Sequence, residues 1–298
     1  MKNKIILRSN GFTAFNAYYL EEFWSRYFDI CVYDPDKSYD RSHVCFVVGW
    51  QFADDELSKR LRDQGYKVIV DNLWESPLGR TDYYWLENTN WFWYNESLHW
   101  RSQGYHLYRP NKKYAKLAFM PIRRQDYIRD KIVNDLGSRL DQFLWSYKDQ
   151  VLPGDILCSD SQYQRFFNPE WYDQTYFSLV VESRQNKNTA CLTEKIFKPC
   201  AYHHPFLVIG QPNGLALLKK MGFETYNNLF DESYDSMQDF DTRLAAIISN
   251  IDNFVTQRYD TETSRRLQHN HDHFFDQALV ESRMIAEIIE PLLQYAEA

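Results

Sequence analysis

Short apolar runs alternate along this chain with longer stretches in which apolar residues return every three or four positions. Ile5–Ser9 predicts a first strand. Phe12, Phe15, Tyr19, Phe23 and Tyr27 then share the stripe of a helix. Asp29–Tyr33 predicts a second strand, and Val44–Gly49 is an apolar run of the kind buried on both faces. Asp54 is placed to cap a helix through Leu57 and Leu61 that Gly65 closes, and Lys67–Asp71 predicts the next strand. Strands and helices alternating at this spacing predict a parallel sheet with helices on its faces.

Residues 72–115 break the rhythm. They are dense in Trp and Tyr without a clean period, and they predict the irregular end of a first lobe. A helix is expected from about Asp126, carrying Ile128, Ile132, Val133 and Leu136 and stopped by Gly137. A second alternating series follows. It comprises strand Phe177–Val181, a helix over 193–201 with Ile196, Phe197 and Cys200 on one face, strand Phe206–Gly210, and a helix over Leu215–Met221 ended by Gly222. Residues 236–251 and 274–296 read as amphipathic helices. The expected fold class is α/β, with two Rossmann-like lobes facing each other, 1–115 and 116–298.

A chain of 298 residues is long enough for two such lobes. With 44% hydrophobic and 25% charged residues it is ordinary globular material, and 10 glycines exclude a collagen-like or linker-rich chain. No stretch is apolar for the length that spans a bilayer, and the apolar run behind the basic N-terminus is too short for a signal peptide. Five scattered cysteines without a C-x-x-C suggest neither a zinc ribbon nor a disulfide framework, so the cytoplasm is the expected location.

Charge changes the picture locally. The net charge is −7, yet residues 101–131 hold nine Lys and Arg (Arg101, Arg109, Lys112, Lys113, Lys116, Arg123, Arg124, Arg129 and Lys131) against Asp126 and Asp130. A basic island in an acidic chain points to a phosphate site rather than a general nucleic-acid coat. The chain has no G-x-G-x-x-G, no P-loop and no G-x-S-x-G, which lowers hydride transfer, P-loop phosphoryl transfer and serine hydrolysis in rank.

The informative segment is Glu182-Ser183 at the end of a strand, then Thr193-Glu194-Lys195-Ile196 at the start of a helix, then Pro205 to Gly210. A helix start carries free N–H groups and partial positive charge, and Lys195 adds a full one, a combination suited to a diphosphate. Glu182 or Glu194 is placed to accept hydrogen bonds from ribose hydroxyls. On spacing alone an ordinary capped helix with an acid in its first turn is the better description.

These residues resemble the donor-binding core of the α1,3-fucosyltransferase family, which reads F-E-N-S, a spacer, V-T-E-K-I, a helix and a V-P-V-x-x-G strand. Trp74-Glu75-Ser76-Pro77 is similar to the family's N-terminal E-S-P, and Arg129 lies where the family's second lobe begins with S-N-x-x-x-x-x-R. The core is also similar to that of sugar transferases of bacteriophages and large DNA viruses. Ser183 stands where the family has Asn. The resemblance implies a GT-B fold and an inverting, metal-independent transfer from a GDP- or UDP-linked sugar to a glycan or similar acceptor, with no further cofactor. It implies that Glu194 binds the ribose, Lys195 and Arg129 the diphosphate, and that Glu75 is the catalytic base. Glu75 lies four residues beyond the strand Lys67–Asp71, where open α/β sheets carry their sites, with Asp71 and Glu87 as nearby alternatives.

Other patterns point elsewhere. Asp34-Pro35-Asp36 and Asp239-Phe240-Asp241 are D-x-D pairs of the type that holds a divalent ion against a diphosphate. His269 and His273 are spaced to share a zinc, but a solvated helix start suits the cluster His269, His271, Asp272 and His273 better. Most of the aromatics are expected in packing, with a few between Trp85 and Trp100 lining an acceptor cleft. Two alternative functions stay open: transfer to hydroxylated bases of viral DNA, with residues 101–131 tracking the backbone, and non-catalytic sugar or nucleic-acid binding on the same fold.

Overall fold

The computed structural model describes residues 4–7, 23, 25–32, 44–49, 56–72, 84–87, 90–122, 125–153, 168–183, 190 and 192–297. The chain divides into two compact units, 1–99 joined by 277–298, and 100–276. The sequence places the boundary at 115/116 and the whole C-terminal stretch in the second lobe. The structure instead divides the chain between His99 and Trp100 and returns the last helical run to the first unit.

In the first unit, strands β1 (Lys4–Leu7), β2 (Asp29–Val32), β3 (Val44–Gly49), β4 (Lys67–Asn72) and β5 (Tyr84–Glu87) form a parallel sheet in the order β2-β1-β3-β4-β5. Ile5 stands opposite Ile30 on one side and Cys45 on the other, and Val47 opposite Ile69. Runs such as Lys67-Val-Ile-Val are rich in β-branched residues, which suit a pleated surface covered on both faces. Helix α1 (Glu56–Asp63) buries Leu61 and ends where Gly65 takes a left-handed φ of 81°.

Helix α2 (Trp91–Ser102) and strand β5 occupy the stretch expected to be irregular. Trp93, Tyr94, Asn95, Glu96, Ser97 and Trp100 are all buried. A helix enclosed on nearly every side has no polar face, so it shows no amphipathic period. The same burial removes Trp93, Tyr94 and Trp100 as open lining for an acceptor cleft; they are packing. Helix α9 (Gln277–Met284), a wider π-turn over Ile285–Ile289 and helix α10 (Glu290–Glu297) complete this unit.

In the second unit, β6 (Lys116–Pro121), β7 (Phe143–Ser146), β8 (Thr175–Val181) and β9 (Phe206–Ile209) form a parallel sheet in the order β7-β6-β8-β9. Ala118 lies opposite Phe143 and Phe177, and Leu179 opposite Leu207. Helices α3 (Tyr127–Leu136), α4 (Pro169–Asp173), α5 (Glu194–Ala201), α6 (Gly214–Lys220), α7 (Phe240–Asn253) and α8 (Thr261–Phe275) accompany it. Phe177, Leu179, Ile196, Phe197 and Leu207 are fully buried and form the core against the sheet.

Each sheet runs second strand, first, third, fourth. The chain leaves β6 toward β7 on one side and β8 toward β9 on the other, so the winding reverses between β6 and β8. Open α/β sheets bind ligands beyond the carboxyl ends of the strands at such a reversal. The segment before Arg129 leaves β6 there, and Glu182 leaves β8 there.

Candidate functional site

Glu182 is the residue next after β8 and is 1% exposed. Its backbone N–H donates to the Ile209 carbonyl at 2.9 Å, which carries the β8–β9 pairing one residue further. Its carboxylate turns toward α5. Oε1 accepts from the Thr193 backbone N–H at 3.1 Å and Oε2 from the Thr193 hydroxyl at 2.6 Å. Thr193 is the N-cap of α5, its Oγ1 accepting from the Lys195 N–H at 3.4 Å. One hydroxyl thus joins the strand end to the helix start.

Lys195 stands in the first turn of α5. Its Nζ donates to Ser183 Oγ at 3.0 Å, Thr193 Oγ1 at 3.2 Å and Glu194 Oε1 at 2.9 Å. Its side chain is 29% exposed, whereas that of Glu194 is 6% exposed. Burial raises the Glu182 carboxyl above the usual carboxylate range, against the opposing pull of Lys195 and the Thr193 hydroxyl. Burial also pushes the Glu194 carboxyl upward, but the charge and hydrogen bond of Lys195 outweigh it and hold that group below its usual range. Pro199, four residues beyond Lys195, has no N–H to return to the Lys195 carbonyl.

Beneath this cluster lies Gly210. A Cβ there would meet Glu182 Cβ and Cγ at 3.5 Å and Val208 Cγ1 at 3.4 Å, so the absence of a side chain lets the Glu182 stem lie against the β9 exit. The Gly210 carbonyl accepts from Arg243 Nε at 3.1 Å, and Arg243, 2% exposed, also donates to the Met237 carbonyl. The sequence signal for Arg243 was its place on the apolar stripe with Ile247 and Ile251.

The structure brings together Glu182, Ser183, Thr193, Glu194 and Lys195. Glu182 faces Thr193, the role of a support for the helix start. Arg129 is also at the sheet's reversal edge, but it is buried and ion-paired with Asp126, the N-cap of α3, whose Oδ1 accepts from the Arg129 N–H at 2.9 Å. Glu75, Asp34 and Asp36 lie outside the described residues, as do Arg123 and Arg124. The rest of the basic island is dispersed. Arg101 donates to the Phe275 carbonyl, Lys112 to that of Tyr172 and Lys116 to that of Asp141, and Lys131 pairs with Asp135 and Asp241. Lys116 opens β6, whereas Arg129 lies in α3, which follows the other end of that strand.

The other candidates have structural partners. Asp239 caps α7 by accepting from the Thr242 N–H at 2.8 Å, and Asp241 pairs with Lys131. His269 and His273 lie inside α8, not at a solvated start, and their Nε2 atoms donate to the carbonyls of Gly222 and Met221 at 2.9 and 3.0 Å. His271 is buried and stacks on His203 at 4.0 Å. Gly222 has a φ of 102°, and a Cβ there would press within 2.7 Å of the His273 ring. Among the described residues no group of three or more His, Cys, Asp or Glu is placed to hold a metal ion, and no helix is long and apolar enough to cross a membrane.

Chemically, the α5 start offers partial positive charge at the backbone N–H groups and the full charge of Lys195. Both stand beyond the carboxyl ends of the strands at the reversal. No protein-family model matches the chain, and no curated protein does. Among solved structures, the chain is similar to an α1,3-fucosyltransferase crystallised with GDP, at 13% identity over 100% of this chain and 93% of that one, with a TM-score of 0.51. A second α1,3-fucosyltransferase structure is similar at 14% identity over 92% of this chain and 90% of that one, with a TM-score of 0.45. The first likeness shows that this chain shares the fold of that structure.

Proposed function

We propose that the chain is a glycosyltransferase of GT-B type, moving a sugar from a GDP- or UDP-linked donor to an acceptor hydroxyl with inversion and without a metal. The observation that carries this reading is Lys195, held by Ser183, Thr193 and Glu194 at a helix start on the reversal edge of the second sheet. The fold shared with a GDP-bound α1,3-fucosyltransferase supports it.

In this reading a base takes the acceptor hydroxyl proton. The oxygen attacks the anomeric carbon from the face opposite the diphosphate, and the bond from that carbon to the diphosphate oxygen breaks. Lys195 and the α5 N–H groups receive the leaving charge. Arg129 joins them by exchanging Asp126 for the diphosphate, and Glu194 takes the ribose. Glu182 and Thr193 hold the helix start in place. Glu75, in the first unit, is the proposed base.

Calorimetric titration with GDP and with UDP tests the donor site, and a radiolabelled transfer assay run with and without EDTA tests the chemistry. Binding of one nucleotide and transfer that survives EDTA are expected. Glu75→Gln should lower kcat about 10²–10⁴-fold, the usual cost of a missing general base, while donor affinity stays unchanged. Near-normal turnover in Glu75→Gln alongside a crippled Asp71→Asn or Glu87→Gln would move the base.

A further inference from the structure

β9 is an outer strand of the second sheet, so one side of its backbone has no strand beside it. Helix α7 supplies a partner there. Arg243, Ile247 and Ile251 recur every four residues on its buried face, so Arg243 holds a position that an apolar residue would fill at less cost in desolvation. Burial pulls its pKa below the usual arginine range, against the opposing charges of Asp235 and Asp239. What an apolar residue could not supply is a fork of donors. Arg243 Nε donates to the Gly210 carbonyl at 3.1 Å, while Nη1 donates to the carbonyl of Met237 and, at 3.3 Å, to that of Gln238. One guanidinium thus ties the exit of β9 to the segment that leads into α7.

The exit fixed in this way lies against Glu182. The Glu182 N–H donates to the Ile209 carbonyl at 2.9 Å, and the next carbonyl along the chain is the one Arg243 holds. Without a Cβ, Gly210 would be the most permissive point of the strand exit; bonds to the carbonyls on its two sides remove that freedom. The Glu182 stem rests on it, since a Cβ at Gly210 would stand 3.5 Å from Glu182 Cβ and Cγ. The contacts then run on. Glu182 Oε2 accepts from the Thr193 hydroxyl at 2.6 Å, and that hydroxyl oxygen accepts from Lys195 Nζ at 3.2 Å. Each step from the guanidinium to the Lys195 ammonium is a hydrogen bond or a van der Waals contact within the second unit.

We infer that Arg243 is a positioning residue of the α5 site: through Gly210 it fixes the Glu182 stem, and through Glu182 the Thr193 hydroxyl that orients Lys195. Its part in donor binding rests on the glycosyltransferase reading; the link from Arg243 to Thr193 does not. The test variant is Arg243→Lys, which keeps the charge but replaces the fork by a single nitrogen. Calorimetric titration with GDP and with UDP should show the nucleotide bound about fivefold more weakly than by wild type. In a Glu182→Ala background, where the link is cut, the same substitution should change affinity by less than about twofold. An Arg243 that merely pins α7 to the sheet would lower the melting temperature and either leave affinity unchanged or weaken it equally in both backgrounds; each of those affinity results overturns the inference. The Thr193 methyl resonance reads the link without nucleotide. It should shift in Arg243→Lys, and in the Glu182→Ala background it should no longer respond to that substitution. An unmoved methyl in Arg243→Lys overturns the inference even where affinity falls. Absence of GDP and UDP binding by wild type would instead remove the glycosyltransferase reading and leave the methyl resonance to decide the link alone.

Discussion

Two helices leave the carboxyl edge of the second sheet after neighbouring strands, and their first turns are furnished in opposite ways. At α6, which follows β9, the carboxylate of Asp235 accepts from the Leu215 N–H at 2.8 Å and the Ala216 N–H at 3.0 Å, and its main-chain oxygen accepts from the Asn213 N–H at 2.6 Å. At α5, which follows β8, a neutral hydroxyl makes the cap, the carboxylate Glu182 stands one step behind it, and a partly exposed cation stands in the first turn. Every helix start attracts an anion. At α6 the protein's own carboxylate takes two N–H groups of the first turn directly, whereas at α5 a hydroxyl takes that place and Glu182 reaches only the N-cap N–H; the α5 start is the one proposed above to receive a phosphate.

The largest effect should come from removing the cation. Lys195→Ala should weaken nucleoside-diphosphate binding by about 1.5–3 kcal/mol, roughly ten- to hundredfold, the range for a charge-assisted hydrogen bond. Unchanged affinity by calorimetry would erase the distinction between the two helices. Asp235→Ala should lower unfolding stability by about 1–2 kcal/mol through loss of the cap while the affinity of the α5 site stays constant. A second nucleotide bound in that variant would mean that α6, too, can serve. Thr193→Ala should cost about 1 kcal/mol of stability, and Thr193→Ser should restore it, because the hydroxyl is what the side chain contributes to the Glu182 link and to the cap; denaturant titration of both variants measures this.

The smallest effect is a pH dependence. Because burial raises the Glu182 carboxyl, it is neutral below that raised value, and an incoming diphosphate then meets one negative charge fewer. Affinity should be higher on the acid side and decline as pH rises through the Glu182 titration, by no more than about tenfold per unit. The stability this group contributes follows the same sign: present below its ordinary pKa and lost as pH rises through the raised one. Glu182→Gln should flatten the part of the affinity profile that does not arise from the nucleotide's own phosphate. An identical profile in that variant would place the titration elsewhere.

The strands were legible because their apolar runs are short, β-branched and bounded by turn residues; Val44–Gly49 is found with the expected limits. The helix start at Thr193 and the stop at Gly137, where φ is 53°, were equally readable, since caps are local chemistry. Helix α2 was not, because Asn95, Glu96 and Ser97 are buried beside the aromatics and conceal its face. The histidines of α8 could not be placed because their partners, the carbonyls of Met221, Gly222 and Ala201, lie far away in sequence. Around α5, spacing marks Lys195 and Glu194 as candidates, and only the resemblance assigns them roles. The pairing of Glu182 with Thr193 across ten intervening residues, and of Arg129 with its own cap, depends on how the chain turns after a strand, which residue order does not display.

The return of residues 277–297 to the first unit has a consequence for how the chain is made. Synthesis runs from the N-terminal side, so the strands of the first unit are made early and wait for its last helical segment, including Glu287 with its bonds to Asn90 and Tyr94. The second unit, residues 100–276, is contiguous and has all its strands in hand before that segment emerges. The unit that is translated first is therefore the one completed last, and while it waits, its sheet has all five strands but lacks that helical segment and needs protection from wrong partners.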